Sequence, residues 1–550
     1  LPDHQGVHHM ARIPRGRDPL EDPPKRIWKD PVVLLDGQAE HSREVLGNKG
    51  HGIDVMRRHA LPVPPAFCIT TEVGVRYLAD PDPTMDAIWD VVIERMGWLE
   101  AETSRTFGRG PRPLLVSVRS GATQSMPGMM DTILDLGVND AVEQALARAC
   151  TAEFARDTRR RFNRMYRRVT GQHPAEDPYE QLRVGIGAVF TSWNSPRAKA
   201  YREHYGRDDQ GGTAVVVQAM VFGNQTARSG AGVLSSRNPI TGANEPFGDW
   251  LPGGQGDDVV SGLVDVEPIA TLRDELPAVY DELIEAARRL EQLTSDVPEI
   301  EFTVENGKLW LLQTRSAERS AQAAVRLALQ LRHDGLIDDA QTLRRVTPAA
   351  VEAVLRPALQ PETRLAAPLL AKGLPACPGV ATGIAYTDVD AALDAAERGE
   401  PVILVRDHTR PEDVLGMLAA QGIVTEVGGA ASHAAVVSRE LGRVAVVGCG
   451  HGVAATLAGK QITVDGHEGE VRDGSLSLSA WSENDTPELR ELTGIALRLS
   501  PLRAHATGDY PRLEDHSEAA VRAAMTAGHR DVVSDTPLIA MLHALRASAD

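Results

Sequence analysis

Residues 425–442 read T-E-V-G-G-A-A-S-H-A-A-V-V-S-R-E-L-G, and they constrain the fold more than any other stretch. The apolar run Gly422-Ile423-Val424 predicts a strand, the Gly428-Gly429 pair a tight turn, and Ser432 a helix N-cap. His433 then falls in the first turn of a helix whose apolar face is Ala435, Val436, Val437 and Leu441. A strand, a glycine turn and a helix in direct succession belong to an alternating α/β unit. The expectation is an imidazole exposed by the turn, backed by free backbone N–H groups and the positive end of the helix dipole. Such a place holds phosphate well, and a neutral imidazole nitrogen can attack a phosphoryl group. A capping or core histidine is the ordinary alternative, and these residues alone leave both open.

The chain has 550 residues, enough for about three or four domains. Its 42% hydrophobic and 24% charged residues are those of a globular protein. A net charge of −18 argues against nucleic acid as a main partner. Cys68, Cys150, Cys377 and Cys449 show no C-x-x-C spacing, so neither a zinc site nor a disulfide framework is expected, and a reducing, cytoplasmic setting fits. No apolar run approaches the roughly 18 residues that span a bilayer, so no membrane association is expected. Residues 1–30, with His4, His8, His9 and many prolines, are expected to form a flexible tail.

Further along, three loops carry chemistry. Gly47-Asn48-Lys49-Gly50 opens a helix and can cradle phosphate, with Lys49 as a point charge. The strand predicted over 114–120 ends at Arg119, a residue type that binds phosphate bidentately, and runs into the Gly- and Met-rich loop 121–132 (G-A-T-Q-S-M-P-G-M-M-D-T). In the second lobe, E-I-E-F-T-V and L-W-L-L-Q-T-R are two strands joined by a polar turn at 305–308, which sets Glu301 beside Gln313. A carboxylate next to an amide oxygen suits Mg²⁺ with nucleotide phosphates, although alone it would read as an ordinary exposed hairpin. A buried strand is expected over 213–222 within this second lobe. The arginines at 156, 159, 160, 161, 164, 167 and 168 form a helical stripe, expected to be solvated or paired with intramolecular acids.

Taken together, these motifs closely resemble those of pyruvate phosphate dikinase and its relatives, the phosphoenolpyruvate-utilising enzymes. The resemblance covers roughly residues 31–475 and implies an α/β (α+β) chain: a bilobal ATP-grasp module over 31–320 with a helical subdomain at about 141–207, a helical linker at 321–365, and a swivelling α/β phosphohistidine domain at 366–479. It implies His433 and Arg119 as catalytic residues. It places Lys49, Arg119, Gly128, Asp249, Glu301, Gln313 and Arg315 around ATP, and Glu301, Glu299 and Gln313 around Mg²⁺. The reaction implied is Mg- and ATP-dependent phosphorylation of His433, forming AMP and involving inorganic phosphate, with pyruvate or phosphoenolpyruvate as the family's partner in the second half.

There are departures from the family pattern. Ala430 and Ala431 stand where dikinases usually carry Met-Thr, so the threonine phosphorylated for control in plant members is absent. Glu299 replaces the usual Asp, and Asp249 the usual Glu. Only 78 residues follow Arg472, against roughly 250 for the family's C-terminal β/α barrel, so that barrel is expected to be missing. The extension 480–550 has two helical patterns, at 517–527 and 537–547, and no assigned role. The acceptor therefore stays open between a separate barrel protein and another small molecule. A non-catalytic ATP-binding remnant is a third reading, and a homodimer is one compatible assembly.

Overall fold

The computed structural model describes residues 30–123, 126, 129–204, 206, 211–261, 264–356, 358–359, 361–478, 483 and 486–548. The tail with His4, His8 and His9, and Gly128 of the Met-rich loop, lie outside the described residues.

Two antiparallel five-stranded sheets make up the N-terminal part of the described chain. The first has the order Val32–Leu34, Ala66–Ile69, Ala214–Ala219, Val116–Gly121, Thr132–Leu136. The Ala214–Ala219 strand, expected in the second lobe, is thus the centre of the first sheet. Its sequence shows why: Val215 and Val217 enter one core, Ala214 and Val216 another. Both faces are covered, one by the helices Pro81–Thr103, Ala152–Thr170 and Pro178–Thr191, the other by the helix Arg43–Arg58. The second sheet runs Glu267–Pro268, Phe247–Pro252, Gly230–Ser235, Pro298–Glu305, Lys308–Ser316, and shares the Arg43–Arg58 core with the first. Its last two strands are joined by Asn306 and Gly307, both at positive φ (51° and 79°), as a two-residue hairpin turn requires. Between that turn and the cleft a β-bulge shifts the register by one residue, so that Glu301 pairs with Gln313 and Glu299 with Arg315.

In the arginine stripe, Arg161 bonds Asp157 and Asp258, and Arg159 reaches Asp140 and Glu176, so part of the stripe is intramolecular.

The third unit is an eight-stranded sheet. Val380–Tyr386, Val402–Arg406, Gly422–Thr425 and Val444–Val447 are parallel neighbours, with the helices Val389–Glu397, Val414–Ala419 and His433–Leu441 between them in sequence. The sheet closes on itself, because its two edges, Leu369–Lys372 and Leu374–Cys377, are separated only by Gly373. A Cβ at Gly373 would lie 2.4 Å from the Val447 carbonyl oxygen, so this corner requires glycine.

The helical linker and the C-terminal extension share one core. Val325, Leu329, Leu343 and Val351 pack with Leu489, Leu492, Val521, Leu538 and Met541, and Arg326–Glu488, Arg332–Glu491 and Arg498–Asp339 pair across the contact. The extension also contains a helix at Pro487–Leu499 and a parallel strand pair, Arg503–His505 with Asp531–Val533, beyond the two expected helices. Among the described residues, no helix is long and apolar enough to cross a membrane.

Candidate active site

A cavity of about 320 Å³ opens between the two nucleotide sheets, and the third unit covers it. Its polar lining includes Lys49, Arg119, Glu301, Gln313, Arg315 and His433, with Met126, Met130, Met220 and Leu312 as apolar wall.

Lys49 is placed by a break in its helix. Gly47 has φ 67° and ψ 171°, and a Cβ there would lie 1.7 Å from the Gly121 carbonyl oxygen. Only glycine permits this approach, which also lets the Asn48 amide donate to the Ala122 carbonyl (2.9 Å). The loop at Gly47–Gly50 and the root of the Met-rich loop therefore touch through backbone. Burial in the cleft lowers the Lys49 pKa to about 7, and the Arg119 charge pushes the same way.

Arg119 ties the sheets together. From the first sheet its guanidinium donates to Glu301 Oε2 (3.1 Å) and Gln313 Oε1 (2.6 Å) in the second. The Gln313 amide donates to the other Glu301 oxygen. The expected pair of hard oxygens is therefore present on the cavity wall and held by an arginine. Among the described residues no group of three or more His, Cys, Asp or Glu side chains could hold a metal. Two protein oxygens nevertheless fit Mg²⁺, which commonly takes one or two protein ligands and fills its shell with phosphates and water.

Two expected ligands are placed differently. Glu299 does not line the cavity; it is buried and bonded to Arg315 through both Nε (2.7 Å) and a terminal nitrogen. A buried carboxylate beside a guanidinium is satisfied there rather than on a metal. Asp249, expected near the nucleotide, accepts the backbone N–H groups of Ala430 (3.2 Å) and Ala431 (2.7 Å). It holds the histidine-bearing turn, not the cavity. Burial raises its pKa to about 6, although the two amides pull it down.

Docking also reverses the expectation of an exposed histidine: His433 is only 7% exposed. Ser432 caps the helix as expected, accepting from the Ala435 amide (3.4 Å). The turn lies so close to the second sheet that a Cβ on Gly429 would meet Val266 Cγ2 at 2.4 Å and Asp249 Oδ2 at 2.6 Å. Ala431 packs against Ala231, Val233 and Val259, and Met126 and Met129 of the Met-rich loop join the core under the His433 helix. Arg197 completes the closure, donating to the Met129 carbonyl (3.0 Å) and reaching Glu412 in the third unit (3.3 Å).

Sequence reasoning missed the imidazole's own partner. Thr409 Oγ1 lies 2.9 Å from His433 Nδ1, while Nε2 is buried with no protein partner. Burial lowers the His433 pKa to about 4, so the ring is neutral near pH 7. Thr409 follows the Val402–Arg406 strand, and the His433 turn follows its parallel neighbour Gly422–Thr425. Residues beyond the carboxyl ends of parallel strands converge on one edge, a rule that could have found it.

Residues 88–281 match the family model described as the AMP/ATP-binding domain of pyruvate phosphate dikinase, and residues 398–469 the mobile domain of PEP-utilising enzymes. The pyruvate, phosphate dikinase of Clostridium symbiosum is 37% identical over 525 residues, covering 84% of this chain and 60% of that protein. That of Rhizobium meliloti (strain 1021) is 38% identical, covering 80% and 57%. The chloroplastic pyruvate, phosphate dikinase 1 of Zea mays is 36% identical, covering 84% and 53%. The chain belongs to the pyruvate phosphate dikinase family. It spans between half and two thirds of the length of these dikinases. The dikinase family is one of phosphotransferases that use ATP and Mg²⁺.

Proposed function

We propose that this chain carries out the ATP half of a dikinase reaction: Mg-dependent phosphorylation of His433, with AMP as the nucleotide product and inorganic phosphate as co-substrate. The observation that carries this is the placing of a neutral histidine, with Nε2 unpartnered, in the same cavity as Lys49, Arg119 and Arg315. Nε2 attacks the β-phosphorus of bound ATP; its lone pair forms the N–P bond as the P–O bond to AMP breaks, and inorganic phosphate then takes the terminal phosphoryl group away as pyrophosphate, leaving phosphohistidine. Thr409 Oγ1 orients the ring through Nδ1; in the tautomer whose Nδ1–H donates to that hydroxyl, the lone pair sits on Nε2. Lys49, Arg119 and Arg315 neutralise the charge that builds on the transferring and leaving oxygens. Glu301 and Gln313 would hold Mg²⁺, which supplies charge neutralisation when bound with the nucleotide. The apolar wall and the docked third unit exclude water that would otherwise compete for the phosphoryl group.

The phosphorylated unit then serves a second site. Pyruvate or phosphoenolpyruvate is the acceptor pair we propose. A different small-molecule acceptor would use the same first half.

The test is intact mass after incubation with Mg·ATP, with and without inorganic phosphate, alongside nucleotide analysis. A phosphoryl adduct that is absent in His433→Ala, formed together with AMP, is the expected result. Bound ATP without adduct or AMP would leave only a nucleotide-binding protein.

A further inference from the structure

Arg439 lies on the same helix as His433, six residues on, or about 9 Å along the axis. It is 5% exposed. Among the described residues no carboxylate pairs with it; its guanidinium is spent on three backbone carbonyls from three segments. A terminal nitrogen donates to Ala430 (3.1 Å), in the turn that precedes Ser432. The other terminal nitrogen donates to Ala376 (3.3 Å), in the Leu374–Cys377 strand of the same unit. Nε donates to Glu318 (3.0 Å), which belongs to the nucleotide module.

That third acceptor is firmly held. Glu318 follows the Lys308–Ser316 strand that carries Gln313 and Arg315, and its neighbours are pinned to the second sheet's surroundings. Ala317 donates to the Val297 carbonyl (2.9 Å), Arg319 pairs with Asp296 (3.0 Å), and Ser320 donates through its hydroxyl to Ile240 (2.6 Å). Two of the three Arg439 bonds are therefore internal to the histidine-bearing unit, and one crosses to the nucleotide strand.

Burying a guanidinium is costly, and here three carbonyl hydrogen bonds and the nearby Glu299 and Glu318 charges offset that cost. Simple core packing would be served better by an apolar side chain. A long fork that braces the His433 turn from behind and reaches the segment after Arg315 does something packing cannot: it fixes the distance between the nucleophile and the nucleotide strand. We infer that Arg439 is a positioning residue whose bond to the Glu318 carbonyl registers His433 against the nucleotide strand in the docked state. When the unit leaves, water replaces Glu318 and the two internal bonds keep the turn in shape. Arg439 touches neither nucleotide nor the reacting nitrogen, so it acts through the turn.

The inference rests on the transfer from ATP to His433 proposed above, and its test separates the two. Amide hydrogen exchange is followed in the full chain for the wild type, Arg439→Met and the milder Arg439→Lys, with single-turnover phosphorylation of His433 and ATP affinity measured in parallel. In Arg439→Met, exchange over 429–433 should quicken by about tenfold or more while the strands Val402–Arg406, Gly422–Thr425 and Val444–Val447 keep their protection. Transfer should slow by about 30-fold with ATP affinity within about twofold, because a nucleophile displaced by about 1 Å loses rate rather than substrate binding. Arg439→Lys, which keeps one donor, should fall between. Unchanged protection of the turn in both variants would overturn the inference, as would loss of protection throughout the unit in both, which marks a purely structural residue. If the turn loosens as expected while even the wild type forms no phosphohistidine, the positioning role stands and the proposed reaction fails.

Discussion

The two walls of the cavity are built on opposite plans. The nucleotide wall is crowded with charge that is already matched: Arg119 against Glu301, Arg315 against Glu299. The histidine wall is almost neutral. Among the described residues of this unit only His433 and Val436 line the cavity, and the imidazole is uncharged near pH 7. Charge is expensive to move between water and protein, and the wall that is proposed to move carries little of it. The groups that must neutralise a polyphosphate stay on the wall that does not move. The docking contacts follow the same logic: Asp249, on the fixed side, offers the charge, and the turn answers with backbone amides.

Breaking the charged wall should have the largest effect. Arg119→Met removes the one group that holds Glu301 and Gln313 from across the cleft. We expect phosphorylation of His433 to slow by about 10²–10³-fold in single-turnover assays, the scale of losing one preorganised charge donor. A change below about threefold in that assay would place Arg119 outside the transfer site.

On the neutral wall, Thr409→Val keeps the shape but leaves His433 Nδ1 without its partner. Transfer should slow by about 10–100-fold, as when other ring-orienting contacts are lost, while ATP affinity stays unchanged. A loss of ATP affinity instead would mean that Thr409 serves the nucleotide and not the ring.

The smallest effects are those of pH, and the two walls should respond in different ranges. Lys49, lowered to about 7, is mostly neutral at pH 8.5 in the free protein, and phosphate oxygens favour its charged form. Nucleotide binding at pH 8.5 should take up close to one proton, and at pH 6 almost none. Calorimetry in two buffers of different ionisation heat measures this directly; equal uptake at both values would contradict it. His433, lowered to about 4 when docked, regains an ordinary value near 6.5 when exposed. The undocked state then binds the proton more tightly. Docking is undiminished above 6.5 and weakens as pH falls from there towards 4, which hydrogen exchange of the 429–433 amides would report. Asp249, raised to about 6 by burial in the docked state, works in the opposite sense, so the measurement is made in Asp249→Asn, where protection constant down to pH 4 would show that His433 does not titrate with docking.

Much of this was legible along the chain because it is local. The glycine turn, the Ser432 cap and the helix after it follow from neighbours in sequence. So does the hairpin at Asn306-Gly307, although a β-bulge between Glu301 and Phe302 decides that Gln313, not Leu312, stands opposite Glu301. Lys49, Arg119, Glu301, Gln313, Arg315 and His433 could be named because each sits in such a local pattern, and the family resemblance tied those patterns together.

What the sequence by itself determined, then, was which segments form strands, turns and helices, and which of them carry phosphate-handling groups. Only the tertiary structure decided which carboxylates face the cavity. Glu299 and Glu301 are two residues apart with the same chemistry, yet Arg315 takes one and leaves the other on the wall. The tertiary structure also decided that the 214–219 strand completes the first sheet, that the extension after residue 486 packs on the linker, and that His433 is buried rather than exposed. Each depends on what lies across a gap of many residues: a guanidinium from a neighbouring strand, a sheet with an open edge, a second lobe against the turn. Local propensity cannot report such partners, because the desolvation and packing that decide between them arise only once distant surfaces meet.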